Sequence, residues 1–588
     1  MNSKERFEGD AAIRIRMNGD SPALLAGVEK SPLYSPDLAP VSGDRRTWST
    51  WNLAAVWVGM AACIPTYILA SYMIRSGLSW VEALTIILIA NLIVTVPMTL
   101  NGHAGVKYGV PFAVLGRAPF GVAGVHVPGL IRALVACGWF GIQAWIGGLA
   151  IYAIACTLTG VPIAGGLTAG KFIAFGLSWA LTLFFIWRGI ESIRLLESLA
   201  APILLGIGLL LVAWGANQAG GFAVVLEQSA QLERPTAQYA GDGGLSVSPL
   251  RDLDGIWKSD SYRIGDRYAM EKAEWRPAPS GTLEISPSEV AAFDVREDLA
   301  IQFRSGEATS TPVPVAAAYA RQSRFAAWLF WITAMVGFWA TMSISIADIT
   351  RFGRSQRAQV AGQFMGLPGT MLLYSFVSVF VTCAALIGFD DVLVAEDAPW
   401  DPVTLVARFD NPLVVVATQL LLLIATLTTN IAANVIAPAN AFANLWPRSI
   451  SFRRGGLITG VVGVVIAPWL LFDRISELLV CVSGFLGPVL GVMLADYYWT
   501  RRMRISLPDL FDPRGAYRYR KGVNPAAMIA LAGGVATALV GYFVQSLQWL
   551  YTASWFTGFL VSFLVYGLLA RGTEQQREEP GVHVTADT

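Results

Sequence analysis

The chain has 588 residues, is 54% hydrophobic and only 14% charged, and carries a formal net charge of +1. That balance excludes one soluble domain of this length; it is the composition of a polytopic membrane protein, for which no nucleic-acid partner is expected. Five cysteines scattered through apolar segments indicate neither a disulfide framework nor a zinc site, and the absence of a Walker loop, HExxH or GxSxG argues against an ATP-driven pump or an enzyme.

Residues 1–47 are polar and include Glu5, Asp10, Asp20 and Glu29, which is not the pattern of a cleaved signal peptide, and they read as a tail. Twelve apolar spans follow, at about 51–73, 81–101, 129–157, 171–188, 198–216, 325–348, 362–388, 412–437, 456–472, 475–498, 525–545 and 549–570. Arginine and lysine cluster in alternate loops: Arg45 and Arg46, Lys107 to Arg132, Arg188 and Arg194, Arg351 to Arg357, Arg448 to Arg454, and Arg501 to Lys521. The positive-inside rule then predicts a multi-pass cell-membrane protein in the lipid bilayer with both termini cytoplasmic.

In span 1, Gly59 and Pro65 predict a broken helix, and Gly337 predicts a second break in span 6. These spans lie five apart, so they run in opposite directions. Two inverted halves with paired breaks point to a transporter site near the membrane midplane. The expected organisation is a tail (1–47), a first inverted repeat (48–217), an extracytoplasmic polar insertion (218–324), a second repeat (325–500), a basic cytoplasmic loop (501–524), two further spans (525–571) and a cytoplasmic tail (572–588).

Span 3 carries Trp139 and Gln143, i and i+4 neighbours whose indole and amide project together, suited to stacking on a flat ring and bonding to its edge. Packing of the Trp and an interhelical bond from the Gln is the competing account. The insertion is polar and contains short alternating pieces, 282–285 and 299–303, which predict either a small β-rich unit or a largely irregular loop. Trp339 in span 6 supplies a second aromatic wall. The loop after span 7 is acidic (Asp390, Asp391, Glu396, Asp397, Asp401) and falls on the face opposite the basic loops.

Span 8 holds the densest polar set: Ala425, Thr428 and Thr429 share a helix face, and Asn434 lies about 140° round and about 7.5 Å further on. Hydroxyls beside a freed carbonyl suit a small hard cation, and the amide suits a small polar molecule. A single Thr commonly bonds to its own helix; the set together favours ligation. No acidic or basic side chain sits near the middle of any span, so a neutral solute is favoured and a carboxylate proton relay is not. Asp348 and Asp496 end their spans next to arginines and read as interfacial anchors or gate contacts.

These stretches carry a resemblance. Leu53 to Met60, Trp139 to Gln143, Gly337 to Trp339, Ala425 to Asn434, Leu486 to Pro488, Asp496-Tyr497 and Arg504 to Leu507 resemble the nucleobase-cation symporter-1 family through nearly all twelve spans. The resemblance implies an all-α membrane fold of the LeuT type, with two inverted five-helix repeats and two extra helices. It implies sodium as the coupling ion, held by backbone oxygens of Gly59, Ala62 and Ala425 and the hydroxyls of Thr428 and Thr429. It also implies a substrate between Trp139 and Trp339, bonded by Gln143 and Asn434. Where hydantoin-carrying members have a glutamine in span 1, Cys63 stands here, which argues against hydantoin itself. The expected activity is import of a neutral planar heterocycle of the nucleobase, hydantoin or allantoin type with sodium, by alternating access and without a cofactor. Proton coupling, or a sensor that signals through the insertion without transport, are the alternatives; the oligomeric state is not legible.

Overall fold

A computed structural model of the chain describes residues 28–188, 190–229, 237–239, 244–247, 250, 256–278, 283–291, 299–315, 324–394 and 399–575, apart from the side chains of 190–201, 228–229, 238–239, 473 and 571–575. The first part of the expected N-terminal tail, the Arg194 side chain, Thr282, Glu396, Asp397 and the C-terminal tail from 576 lie outside these residues.

Apolar runs of sufficient length become helices because hydrocarbon forces every backbone group to bond within its own segment. Eight helices are long and apolar enough to cross a membrane: Trp80–Tyr108, His126–Thr159, Ala169–Arg188, Arg324–Ser345, Gln356–Gly388, Pro412–Leu445, Ile475–Thr500 and Pro525–Phe543. Two bent pairs, Thr50–Ala61 with Ile64–Arg75 and Gln545–Thr552 with Ser554–Ala570, bring the number to ten. The expected count of twelve is therefore not reached among the described residues. Span 5 lies within the 29-residue helix Ile190–Gln218, whose side chains are described only from Pro202 onward, and span 9 is the shorter helix Phe452–Val465.

Span 1 breaks as expected. Its halves meet at 59°, with Ala62 at ψ 82° and Cys63 extended, and Pro65 opens the second half, where its missing N–H is harmless. Span 6 corrects the expectation: Arg324–Ser345 runs unbroken through Gly337. A Cβ at Gly337 would sit 2.1 Å from Ser483 Oγ and 2.9 Å from the Leu479 carbonyl, so this glycine admits a neighbouring helix instead of ending its own. The helix ends later, at Ser345, and Ile346 leads into the short helix Ala347–Thr350.

The insertion is β-rich. Strands β1 (Ala237–Tyr239), β2 (Leu245–Val247) and β5 (Leu283–Ile285) form one antiparallel sheet in the order β1-β2-β5. A second sheet pairs β3 (Ser261–Asp266) with β4 (Arg276–Pro277) and β6 (Leu299–Ser305), and β6 with β7 (Ala308–Thr309) and β8 (Val313–Pro314). Alternation buries Leu245 and Val247 on β2 and Leu283 and Ile285 on β5, against Phe303, Leu393 and Val394. This module clasps the end of span 7: Lys258 Nζ donates to the carbonyls of Leu386, Ile387 and Phe389, which a helix C-terminus leaves without intrahelical partners.

Candidate substrate and cation site

The break in span 1 frees backbone oxygens in the middle of the bundle, and span 8 supplies hydroxyls opposite them. Thr429 Oγ1 lies 3.5 Å from the Gly59 carbonyl and 3.0 Å from the Ala425 carbonyl, and Thr428 Oγ1 lies 2.8 Å from Ala425 O. Both hydroxyls thus donate to their own helix, as a lone membrane Thr would. That leaves their lone pairs available, and the hydrogen-bond direction holds the side chains still. Ala62 is fully buried at the break, and its non-helical ψ turns its carbonyl off the helix axis.

The chemistry of this donor set fits a small monovalent cation. Every member is a neutral oxygen, and spacings of 2.8–3.5 Å suit adjacent ligands around an ion holding oxygen at about 2.3–2.6 Å, as hard cations of this size do. No cluster of His, Cys, Asp or Glu with metal-binding geometry occurs among the described residues.

Next to this set is a small cavity of about 30 Å³ lined by Met60, Cys63, Trp139, Gln143, Phe338, Trp339, Thr341, Met342, Thr429, Ala433 and Asn434. Every residue expected at a substrate site is in this lining. Thr429 lines it too, so the cation set and the cavity adjoin through one side chain. Thr429 and Asn434, expected on different faces for two neighbouring sites, border one space because it extends around that side of span 8.

Two polar atoms in this lining have no partner. Gln143 Oε1 is an acceptor and Trp339 Nε1 a donor, each on a residue less than 5% exposed. Asn434 donates to Asn430 Oδ1 at 3.1 Å, and Asn430 donates to the Phe140 carbonyl at 3.1 Å, which ties span 8 to span 3 and leaves a second Asn434 N–H. Cys63 Sγ lies 3.2 Å from Thr66 Oγ1, itself a donor to the Ala61 carbonyl, so the thiol is engaged at the break.

The aromatic arrangement is richer than two facing tryptophans. Trp139 meets Phe338 edge-on, with centroids 5.2 Å apart; Phe338 meets Trp339 at 4.8 Å, and Trp339 meets Trp57 at 5.2 Å. Phe338, Thr341 and Met342 were missed from the sequence, although their i, i+3, i+4 spacing puts them on one helix face beside Trp339. Met60, adjacent to Gly59, was missed as well.

One set of charged groups joins helix ends outside the cavity. Asp348 accepts from the Phe112 N–H at 2.9 Å, and Arg132, buried two turns into His126–Thr159, donates to Ser345 Oγ at 3.1 Å. Asp496 pairs with Arg501 at 2.8 Å and accepts from Tyr566 OH at 2.5 Å. Arg117 joins Leu510, Leu33 and Asn444. Charges tie helix ends together here and stay out of the cavity.

The family model described as a permease for cytosine/purines, uracil, thiamine and allantoin matches residues 40–239 and 286–566, the interruption falling inside the β module. The chain is 32% identical to the allantoin permease of Bacillus subtilis (strain 168), over 92% of this chain and 94% of that protein. It is 33% identical to the purine-uracil permease NCS1 of Arabidopsis thaliana, over 87% and 72%. In fold it is similar to Mhp1, a nucleobase-cation-symport-1 family transporter solved in a closed conformation with bromovinylhydantoin bound. The TM-score is 0.65 at 23% identity, covering 92% of this chain and 96% of that one.

Proposed function

The chain belongs to the family of permeases for cytosine/purines, uracil, thiamine and allantoin, and from that premise we propose that it is a secondary symporter importing a neutral planar heterocycle with sodium. The observation that carries this reading is the pair of unpartnered atoms in one cavity. An acceptor (Gln143 Oε1) and a donor (Trp339 Nε1), both buried beside the Trp139 indole, call for a flat ligand presenting N–H and C=O on its edge. Neutral lactam rings of the uracil or allantoin type have that edge. A charged solute would find no counter-ion in the lining.

A cavity of about 30 Å³ holds roughly two waters, so ring entry requires the lining around Trp139 and Phe338 to open. The cation joins spans 1 and 8 through Gly59, Ala62, Ala425, Thr428 and Thr429, and Thr429 hands that constraint to the substrate lining. Binding of each therefore favours the arrangement that the other needs, a reciprocal coupling typically worth about 1–3 kcal/mol. Alternation of access to this central site, with both termini cytoplasmic, completes the scheme and agrees with the basic loops.

The test is uptake of labelled uracil and allantoin into proteoliposomes. Accumulation driven by an inward sodium gradient supports the reading. Accumulation driven by a pH gradient without sodium replaces sodium with protons, and binding without accumulation makes the protein a sensor.

A further inference from the structure

Far from this cavity, a groove of about 780 Å³ opens beside the β-module end of the bundle, between span 5, the end of span 7 and the start of span 8. It changes character along its length. One end is polar: Asp390, Asp410, Arg408 and Asn411, closed by Gln218 Nε2 donating to the Gly388 carbonyl. The other is apolar, with Ile207, Leu210 and Leu211, and Val414 lines the wall one turn below Asn411. Trp214 lies between, 4.9 Å from Phe409 and 5.5 Å from Phe389.

From Ile207 to Gln218 the helix rises about 16 Å, close to the roughly 15 Å depth of one hydrocarbon leaflet. The groove opens sideways onto residues that face lipid: Leu210 is 70% exposed and Leu413 77% exposed. Arg408 lies over the Phe389 ring at 5.2 Å and pairs with Asp391 at 3.1 Å. With Arg408 paired to Asp391 outside the lining, Asp390 and Asp410 leave the polar end net negative, and Arg408 still offers N–H donors at its rim.

We propose that this groove holds one phospholipid with an ammonium headgroup. The ammonium sits between Asp390 and Asp410, the phosphate meets Arg408, and an acyl chain follows Ile207, Leu211 and Val414. The aromatic floor adds cation–π attraction, and the surplus of carboxylates disfavours anionic lipids. A water-soluble ligand has no use for a wall open to the bilayer, so the occupant comes from the membrane.

The test uses the full-length protein, delipidated in detergent and examined by native mass spectrometry after addition of phosphatidylethanolamine, phosphatidylcholine or phosphatidylglycerol. Wild-type protein should retain one ammonium-bearing lipid in preference to phosphatidylglycerol. The double variant Asp390→Asn/Asp410→Asn should lose that preference, and Thr418→Trp, which fills the groove with its charges intact, should lose retention altogether. Equal retention of phosphatidylglycerol by the wild type, or an unchanged preference in the double variant, overturns the proposal. Monodispersity and the melting temperature in lipid-free detergent report whether each variant is folded; should Thr418→Trp misfold, the Asn pair decides.

Discussion

Replacing Gln143 by Met should move stability and binding in opposite directions. In the ligand-free protein Gln143 Oε1 is buried without a partner, which carries a desolvation penalty of about 1–3 kcal/mol. Methionine keeps the length of the side chain and removes the carbonyl, so Gln143→Met should stabilise the ligand-free protein by a similar amount. The bound ligand would then have a buried N–H without an acceptor, a loss of about 1–3 kcal/mol, or roughly 5- to 150-fold in affinity. Apparent melting temperature in detergent reads the first effect, and quenching of tryptophan fluorescence by ligand reads the second. A fall in ligand-free stability, or unchanged affinity, would refute the claim that this carbonyl is reserved for substrate.

Other consequences can be checked in the same preparations. Trp339→Phe keeps the ring but removes the unpartnered donor, and should weaken ligands with a ring carbonyl more than those without one, by titration of matched pairs. Thr428→Ala should abolish sodium dependence while leaving sodium-free affinity unchanged; Thr429→Ala should damage both, because that residue also lines the cavity. Gly337→Ala forces a methyl group to within 2.1 Å of Ser483 Oγ and should destabilise by about 1–3 kcal/mol, with partial recovery in Gly337→Ala/Ser483→Ala, measured by thermal unfolding. Lys258→Met should speed hydrogen exchange at the end of span 7, near Leu386 to Phe389, without altering ligand affinity.

Much of the architecture was legible because the bilayer is a strict solvent: an apolar run of the right length has few alternatives to a helix. The break in span 1 was legible because Pro65 fits the first turn of a helix, although Pro97, Pro368 and Pro488 sit inside unbroken ones, so proline alone is not decisive. Gly337 was misread because a membrane glycine serves two purposes, ending a helix or admitting a neighbour, and only the approach of Ser483 and Leu479 distinguishes them. At the candidate site, polar residues in apolar spans stood out by their desolvation penalty, which is why Gln143, Thr428, Thr429 and Asn434 were singled out as candidates. Phe338, Met342 and Met60 line the same cavity, but apolar side chains in an apolar helix leave no such mark. The β module was legible only as alternation in short pieces; its docking on Leu393, Val394 and the end of span 7 is a long-range matter that local pattern does not encode.

In the proposed scheme a flat neutral ring stacks at Trp139 in a cavity shared, through Thr429, with a sodium site. Titrating the purified protein with uracil and allantoin, once in sodium and once with choline replacing it, while following tryptophan fluorescence, tests it most directly. Saturable quenching whose dissociation constant tightens in sodium is the predicted result. Identical affinity in the two salts, or no quenching by either ring, would contradict it.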